Sequence, residues 1–200
     1  DGGIRRTHDV PVDNLEGYLL PDTYEFFWGV DPTTVVETMA DANAAVFDND
    51  TIQAQMETMG WTRHEVLTLS SMIEAETGLI DERAIISGVF HNRLDRGMLL
   101  QCDPTVVYGM GGLQPGERLL RKHLKEEESE YNTYIHEGLP PGPICNPGRA
   151  SIYAALYPES TDAIFFVADG QGGHVFSKTL REHNRASAQL RKLRRQRDNR

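Results

Sequence analysis

Cysteine is nearly absent from this chain of 200 residues: there are two, Cys102 and Cys145. Neither belongs to a C-x-x-C pair, which weakens zinc-ribbon and thioredoxin-like readings. They form either one disulfide of an oxidising compartment or two separate thiols. Long apolar runs are missing too; nothing approaches the roughly 18 residues that a bilayer-spanning helix needs. There is no signal-peptide pattern, no internal repeat and no low-complexity segment. Of the seven histidines, His91, His123, His136, His174 and His183 offer no H-x-x-x-H or comparable ligand spacing, so no metal and no cofactor is expected. Positive charge is also in deficit. Twenty Lys and Arg stand against thirty Asp and Glu, a net charge of −10, which argues against nucleic acid as a partner.

What basic charge there is gathers at one end. Residues 181–200 hold eight Arg or Lys against Glu182 and Asp198. A solvated terminal helix suits that composition, and so does a helix that meets phosphate or a membrane surface. Hydrophobic content of 39% and charged content of 25% are ordinary for a globular domain, and the length suits one domain with a small appendage. Residues 1–13, opening "DGGIRR", read as a linker or the edge of a longer chain. Residues 14–184 read as the body, and 185–200 as a basic helical tail.

The aromatic stretch "NLEGYLLPDTYEFFWGVDP" is broken by Gly and Pro and predicts loop and short strands packed on a core. Asp31 before Pro32 opens a helix through "PTTVVETMADANAAVFDND". A second helix begins at Thr62, where Thr62 and Glu65 have the spacing of a capping box, and is expected to stop at Gly78. A third covers 81–94, with Ile85, Ile86, Val89 and Phe90 on one face and Gly97 as its stop. From Met98 to Gly148 the periodicity fades. "GMGGLQPGE" and "GLPPGPICNPG" are turns of fixed shape, with a short exposed helix in "LLRKHLKEEESEYN" between them. Helix returns at 151–156. "AIFFVADGQGGHVFS" then has the pattern of a hairpin, and a last helix starts near Thr179. The fold class is α+β: a helix-dominated single domain with a small antiparallel sheet and a long, loop-rich cleft region.

The second helix carries the chemistry. At about 100° per residue, Val66, Leu69, Met72 and Ile73 form one apolar stripe. Glu76 falls inside that stripe and Glu74 outside it. A carboxylate in apolar surroundings holds its proton, as a general acid must when it protonates a glycosidic oxygen. Either Glu76 faces a cleft, or it reaches solvent from the helix's last turn.

Five motifs occur in a set order: "LEGYLLPDTYEF", "SSMIEAETG", "VFHNRLDRGMLLQCDPTVVYG", "YNTYIHEGLPPGPICNPG" and "FFVADGQGGHVFSKTLREHN". Together, from about Asn14 to Asn184, they resemble the MltG (YceG-like) endolytic transglycosylases. The resemblance implies a bacterial cell-wall enzyme that cleaves the β-1,4 bond between N-acetylmuramic acid and N-acetylglucosamine inside glycan strands, without water, to leave a 1,6-anhydro end. It implies Glu76 as the catalytic residue, acting as acid and then as base toward the muramoyl 6-hydroxyl, which gains from proximity. It enlists Asn132 for an acetamido group, and Asp103, Thr105, Tyr108 and Tyr131 as subsite walls with Glu74 as a neighbour. Asp103 before Pro104 also suits a local turn, and Tyr131 and Tyr134 also suit core packing. Peptidoglycan strands are the implied partner, with a synthase beside them. An N-terminal membrane anchor outside this chain and a site of action on the extracytoplasmic face of the inner membrane are also implied. Both cysteines fall in loops around the implied cleft, so their sulfurs are expected near each other, bonded or not. Two other readings stand beside this one: a hydrolytic muramidase and a non-catalytic wall-binding module.

Overall fold

The structure, a computed structural model, describes residues 2–8, 10–11, 14–126 and 128–198. Among these, the helices are α1 (Gly2–Thr7), α2 (Pro32–Phe47), α3 (Asp50–Met59), α4 (Arg63–Glu76), α5 (Ile80–Asp95), α6 (Asp103–Gly109), α7 (His123–Glu126), α8 (Arg149–Leu156) and α9 (Leu180–Asp198). The strands β1 (Phe165–Ala168) and β2 (His174–Ser177) lie between α8 and α9. They pair antiparallel, Phe165 opposite Ser177 and Ala168 opposite His174. The α+β, helix-dominated architecture expected of the sequence is present.

Helix α4 is the axis of the molecule. Every residue from Val66 to Ile73 is buried, polar ones included, so the helix has no solvent face along its middle. Thr68, Ser70 and Ser71 avoid the cost of burial by hydrogen-bonding to carbonyls three or four residues back. The capping box forms, with Thr62 accepting from the Glu65 N–H and the Glu65 carboxylate accepting from the Thr62 N–H. Helices α5, α6 and α8 pack around α4. The core joins Leu67, Leu69, Met72 and Ile73 of α4 to Ile86 and Phe90 of α5, Ile152 and Leu156 of α8, and Tyr18 and Leu20 of the lead-in segment.

Several local expectations change. The lead-in segment forms no strand. Its Tyr18 and Leu20 are buried while Phe27 and Trp28 stand fully exposed. Helix α3 was not anticipated; Asn49 caps it, accepting from the N–H groups of Thr51 and Ile52. Helix α4 ends at Glu76 rather than Gly78, because Thr77 turns extended and its hydroxyl accepts from the Leu79 N–H at the start of α5. Residues 1–13, expected to be linker, include α1, with Ile4 buried. Helix α9 runs unbroken past residue 184, and Ala186 and Leu190 of the expected tail are buried.

The lead-in segment is locked to the loop "GLPPGPICNPG". Asn146 accepts from the Gly17 and Leu19 N–H groups, and His64 bridges the Tyr18 hydroxyl and the Pro141 carbonyl at 2.7 Å each. Gly17 has φ +86, and a Cβ there would come within 2.2 Å of the Pro143 ring, so both backbone and space demand glycine.

Candidate active site

Glu76 ends α4 at the wall of a cavity of about 370 Å³, which Asp103, Tyr134, His174, His183 and Leu190 also line. Burial is the main influence on its carboxyl, pushing its pKa from 4.5 up to about 7; the neighbouring Asp103 adds to this. The Cys102 thiol, hydrogen-bonded to Glu76, and the nearby His174 and Arg93 pull the other way. The result is a carboxylic acid that keeps its proton near neutral pH and ionises without much further cost.

Glu74, one turn-face away, lives differently. Its Oε1 accepts from the Arg83 guanidinium at 2.8 Å, and its Oε2 accepts from the Gly148 N–H at 3.1 Å and the Ser151 hydroxyl at 2.8 Å. It fastens the start of α8 to α4 and α5.

Asp103 begins α6, and Tyr134 donates to its Oδ1 at 2.5 Å. Burial and that bond push the Tyr134 phenol pKa up. Asp103 also lines a second cavity of about 900 Å³ with Ala75, Val107, Tyr108 and Ile144. The two cavities therefore meet at Asp103, beside the end of α4. Tyr108 faces the second cavity, donates to Glu16 at 2.7 Å and packs on Tyr131, ring centroids 4.7 Å apart.

Two residues that the sequence proposes as substrate contacts are fully buried. The Asn132 Oδ1 accepts from the Tyr134 N–H and its Nδ2 donates to the Leu124 carbonyl. The Thr105 hydroxyl lies 2.8 Å from the Cys102 carbonyl and 2.9 Å from the Thr133 hydroxyl. Both shape the loops behind the cavities. The two cysteines are unbonded. The Cys102 thiol is spent on Glu76, and the Cys145 Sγ donates to the Ser71 carbonyl at 3.3 Å.

Three contributors escape the sequence. Arg93, buried in α5, donates to the carbonyls of Ile164, Leu99 and Leu100, and so joins the hairpin to the loop that carries Cys102. Gln101, on the cavity wall, is held at φ +51, a left-handed conformation that costs a non-glycine residue about 1 kcal/mol or more. His174 is paired with Glu82, its Nδ1 2.7 Å from Oε2. In the sequence its only sign is a histidine next to the glycine-rich turn. Among the described residues, no group of three or more His, Cys, Asp or Glu is placed to hold a metal ion, and no helix is long and apolar enough to cross a membrane.

A family model described as the YceG-like family matches residues 4–189. A Bacillus subtilis (strain 168) protein named endolytic murein transglycosylase is 44% identical over 186 residues, which take in 90% of this chain and 50% of that protein. A protein of the same name from Streptococcus pneumoniae serotype 2 (strain D39 / NCTC 7466) is 32% identical over 180 residues, 88% of this chain and 32% of its own. The crystal structure of a YceG-like protein from Listeria monocytogenes matches with a TM-score of 0.80 at 36% identity, covering 92% of this chain and 62% of that one. The chain spans about half the length of the Bacillus relative and about a third of the pneumococcal one. With motifs, fold and site geometry in agreement, the chain belongs to the YceG-like family.

Proposed function

We propose that this chain is the catalytic part of an endolytic lytic transglycosylase of peptidoglycan. The observation that carries the reading is Glu76: a carboxyl on a cavity wall, with its pKa pushed to about 7 by burial. In its protonated form it donates to the glycosidic oxygen between N-acetylmuramic acid and N-acetylglucosamine. The bond from the anomeric carbon to that oxygen breaks, and the muramoyl 6-hydroxyl closes onto the anomeric carbon and sheds its proton to a base in the cavity. The Glu76 carboxylate left behind is one such base. An intramolecular nucleophile needs no second carboxylate to activate water. The Asp103 carboxylate, held by Tyr134, adds negative charge near the positive charge that develops on the sugar.

The two neighbouring cavities favour internal cutting. A strand laid across Asp103 has room in both cavities, as cleavage away from chain ends requires. Of the expected wall residues, Asp103 and Tyr108 line these cavities and are the best placed to touch sugar. Asn132 and Thr105 are buried in the loops beside them, Tyr131 packs on Tyr108, and Glu74 holds the start of α8. Peptidoglycan lies outside the cytoplasmic membrane, so we assign the action there, with anchoring and any synthase contact supplied by parts of the protein beyond this chain.

The test is mass analysis of purified glycan strands digested by the chain. The reading predicts new internal ends lighter than hydrolytic ends by the mass of one water. Reducing ends would make the chain a muramidase, and binding without cleavage would make it a wall-binding module.

A further inference from the structure

The mechanism above leaves one paired titratable group of the cavity without a task. His174 opens β2 and lines the same cavity as Glu76. Its backbone N–H donates to Glu82 Oε1 at 2.8 Å, and its Nδ1 sits 2.7 Å from Glu82 Oε2. Both side chains are largely buried, 12% and 18% exposed. The Thr77 hydroxyl, just after Glu76, also donates to Glu82 Oε2 at 3.4 Å. A carboxylate on Nδ1 fixes the neutral ring in one tautomer: hydrogen on Nδ1, lone pair on Nε2. The opposite edge of the ring, with Nε2, is then the edge left for the cavity. Gly173 permits this approach, since a Cβ there would come within 2.7 Å of Glu82 Oε1. Phe166 and Phe176 hold the ring edge-on and tilted at 5.4 and 6.4 Å. Other charged or titratable groups around it are Glu76 on α4, Asp169 in the hairpin turn and His183 on α9.

We propose that His174, oriented by Glu82, is a second catalytic residue of this site, the base that takes the proton of the attacking hydroxyl. The proposal rests on the transglycosylase reading and divides its labour. Glu76 gives its proton to the leaving oxygen as the glycosidic bond breaks. The muramoyl 6-oxygen bonds to the anomeric carbon, and its proton passes to His174 Nε2. The imidazolium that forms is balanced by the Glu82 carboxylate at Nδ1. After release, the proton returns from His174 to Glu76 through solvent, and no proton is gained or lost overall. The arrangement frees Glu76 from acting on two oxygens in turn.

The experiment compares two substrates on the 200-residue chain: glycan strands, and a synthetic muramoyl glycoside with a nitrophenolate leaving group, which departs without protonation. Glu76→Gln should be slow on strands and recover most of its rate on the nitrophenyl glycoside. His174→Ala and His174→Gln should be slower than wild type on both, by about 10²-fold or more. Free imidazole should restore part of the His174→Ala rate and none of the Glu76→Gln rate. Glu82→Gln should fall between. Circular dichroism checks folding, and His174→Gln serves if the alanine variant does not fold. Wild-type rates in folded His174 variants, or recovery of His174 variants on the nitrophenyl glycoside, would overturn the proposal. If wild-type products carry reducing ends while the His174 results hold, the transglycosylase reading fails. His174 is then the base for water.

Discussion

Glu74 and Glu76 are the same side chain on the same turn of α4, yet they do opposite work. Glu74 has an arginine and two further donors on its two oxygens, so its charge is neutralised and its geometry fixed. Glu76 has the Cys102 thiol as a weak donor, and burial dominates its surroundings. A well-paired carboxylate stabilises a fold; a poorly paired one in a cavity becomes an acid. The identity of the residue decides neither outcome. Its neighbours do, and they come from α5, α6, α8 and the hairpin, far away in sequence.

The comparison can be broken or sharpened by substitution. The largest effect is expected for Glu76→Gln, which keeps shape and removes the proton; activity on glycan strands should fall about 10²–10⁴-fold with the fold intact. Glu74→Gln should lose far less activity, and equal losses would erase the distinction between the two. Next comes a pH effect on stability. The folded Glu76 binds its proton up to about pH 7, whereas the unfolded chain releases it near 4.5. Folded protein therefore holds more protons in that window, and stability falls as pH rises through it, by about 3 kcal/mol, with the full contribution present below pH 4.5. In urea unfolding at pH 4.5 and pH 8, wild type should lose more stability across that window than Glu76→Gln, and the difference between them is the Glu76 contribution. Smaller again is Glu74→Ala, which strips the Arg83 guanidinium of its carboxylate, although the Nε of Arg83 already lacks a hydrogen-bond partner among the described residues. A loss of about 2–3 kcal/mol is expected in the same unfolding assay. The smallest effect is that of Cys102→Ala. Losing a donor to the charged form raises the Glu76 pKa, so the alkaline limb of the pH–rate profile should move up by less than about one unit.

The contrast between these acids was half legible in the sequence. Helical spacing put Glu76 with Val66, Leu69, Met72 and Ile73, and the structure finds those residues buried. The same reading set Glu74 off that stripe as a neighbour, and there it is partly exposed, with its oxygens on Arg83 of α5 and the start of α8. A helical wheel sees one helix; it cannot count the helices around it. The capping box, the three main helices and the hairpin were legible because each is encoded locally. Helix α3 was missed because a second Asx cap, Asn49, follows too closely on the end of α2. The cavity itself was not legible. Its walls join α4, the loop at Gln101, the hairpin and α9, and Arg93 and the Glu82–His174 pair that hold those walls together act across long sequence separations. Asn132 and Thr105 were chosen from motifs, and a motif does not say whether a polar side chain faces a ligand or the loop behind it.

The central claim is that Glu76 keeps its proton near neutral pH because of where the fold puts it. Carbon-13 NMR of glutamate side-chain carboxyls, with the Glu76 signal assigned by difference from Glu76→Gln, reads this directly. A titration midpoint at about pH 7 is predicted. A midpoint near 4.5 would contradict the account, because Glu76 would then be an ordinary carboxylate at neutral pH with no proton to give.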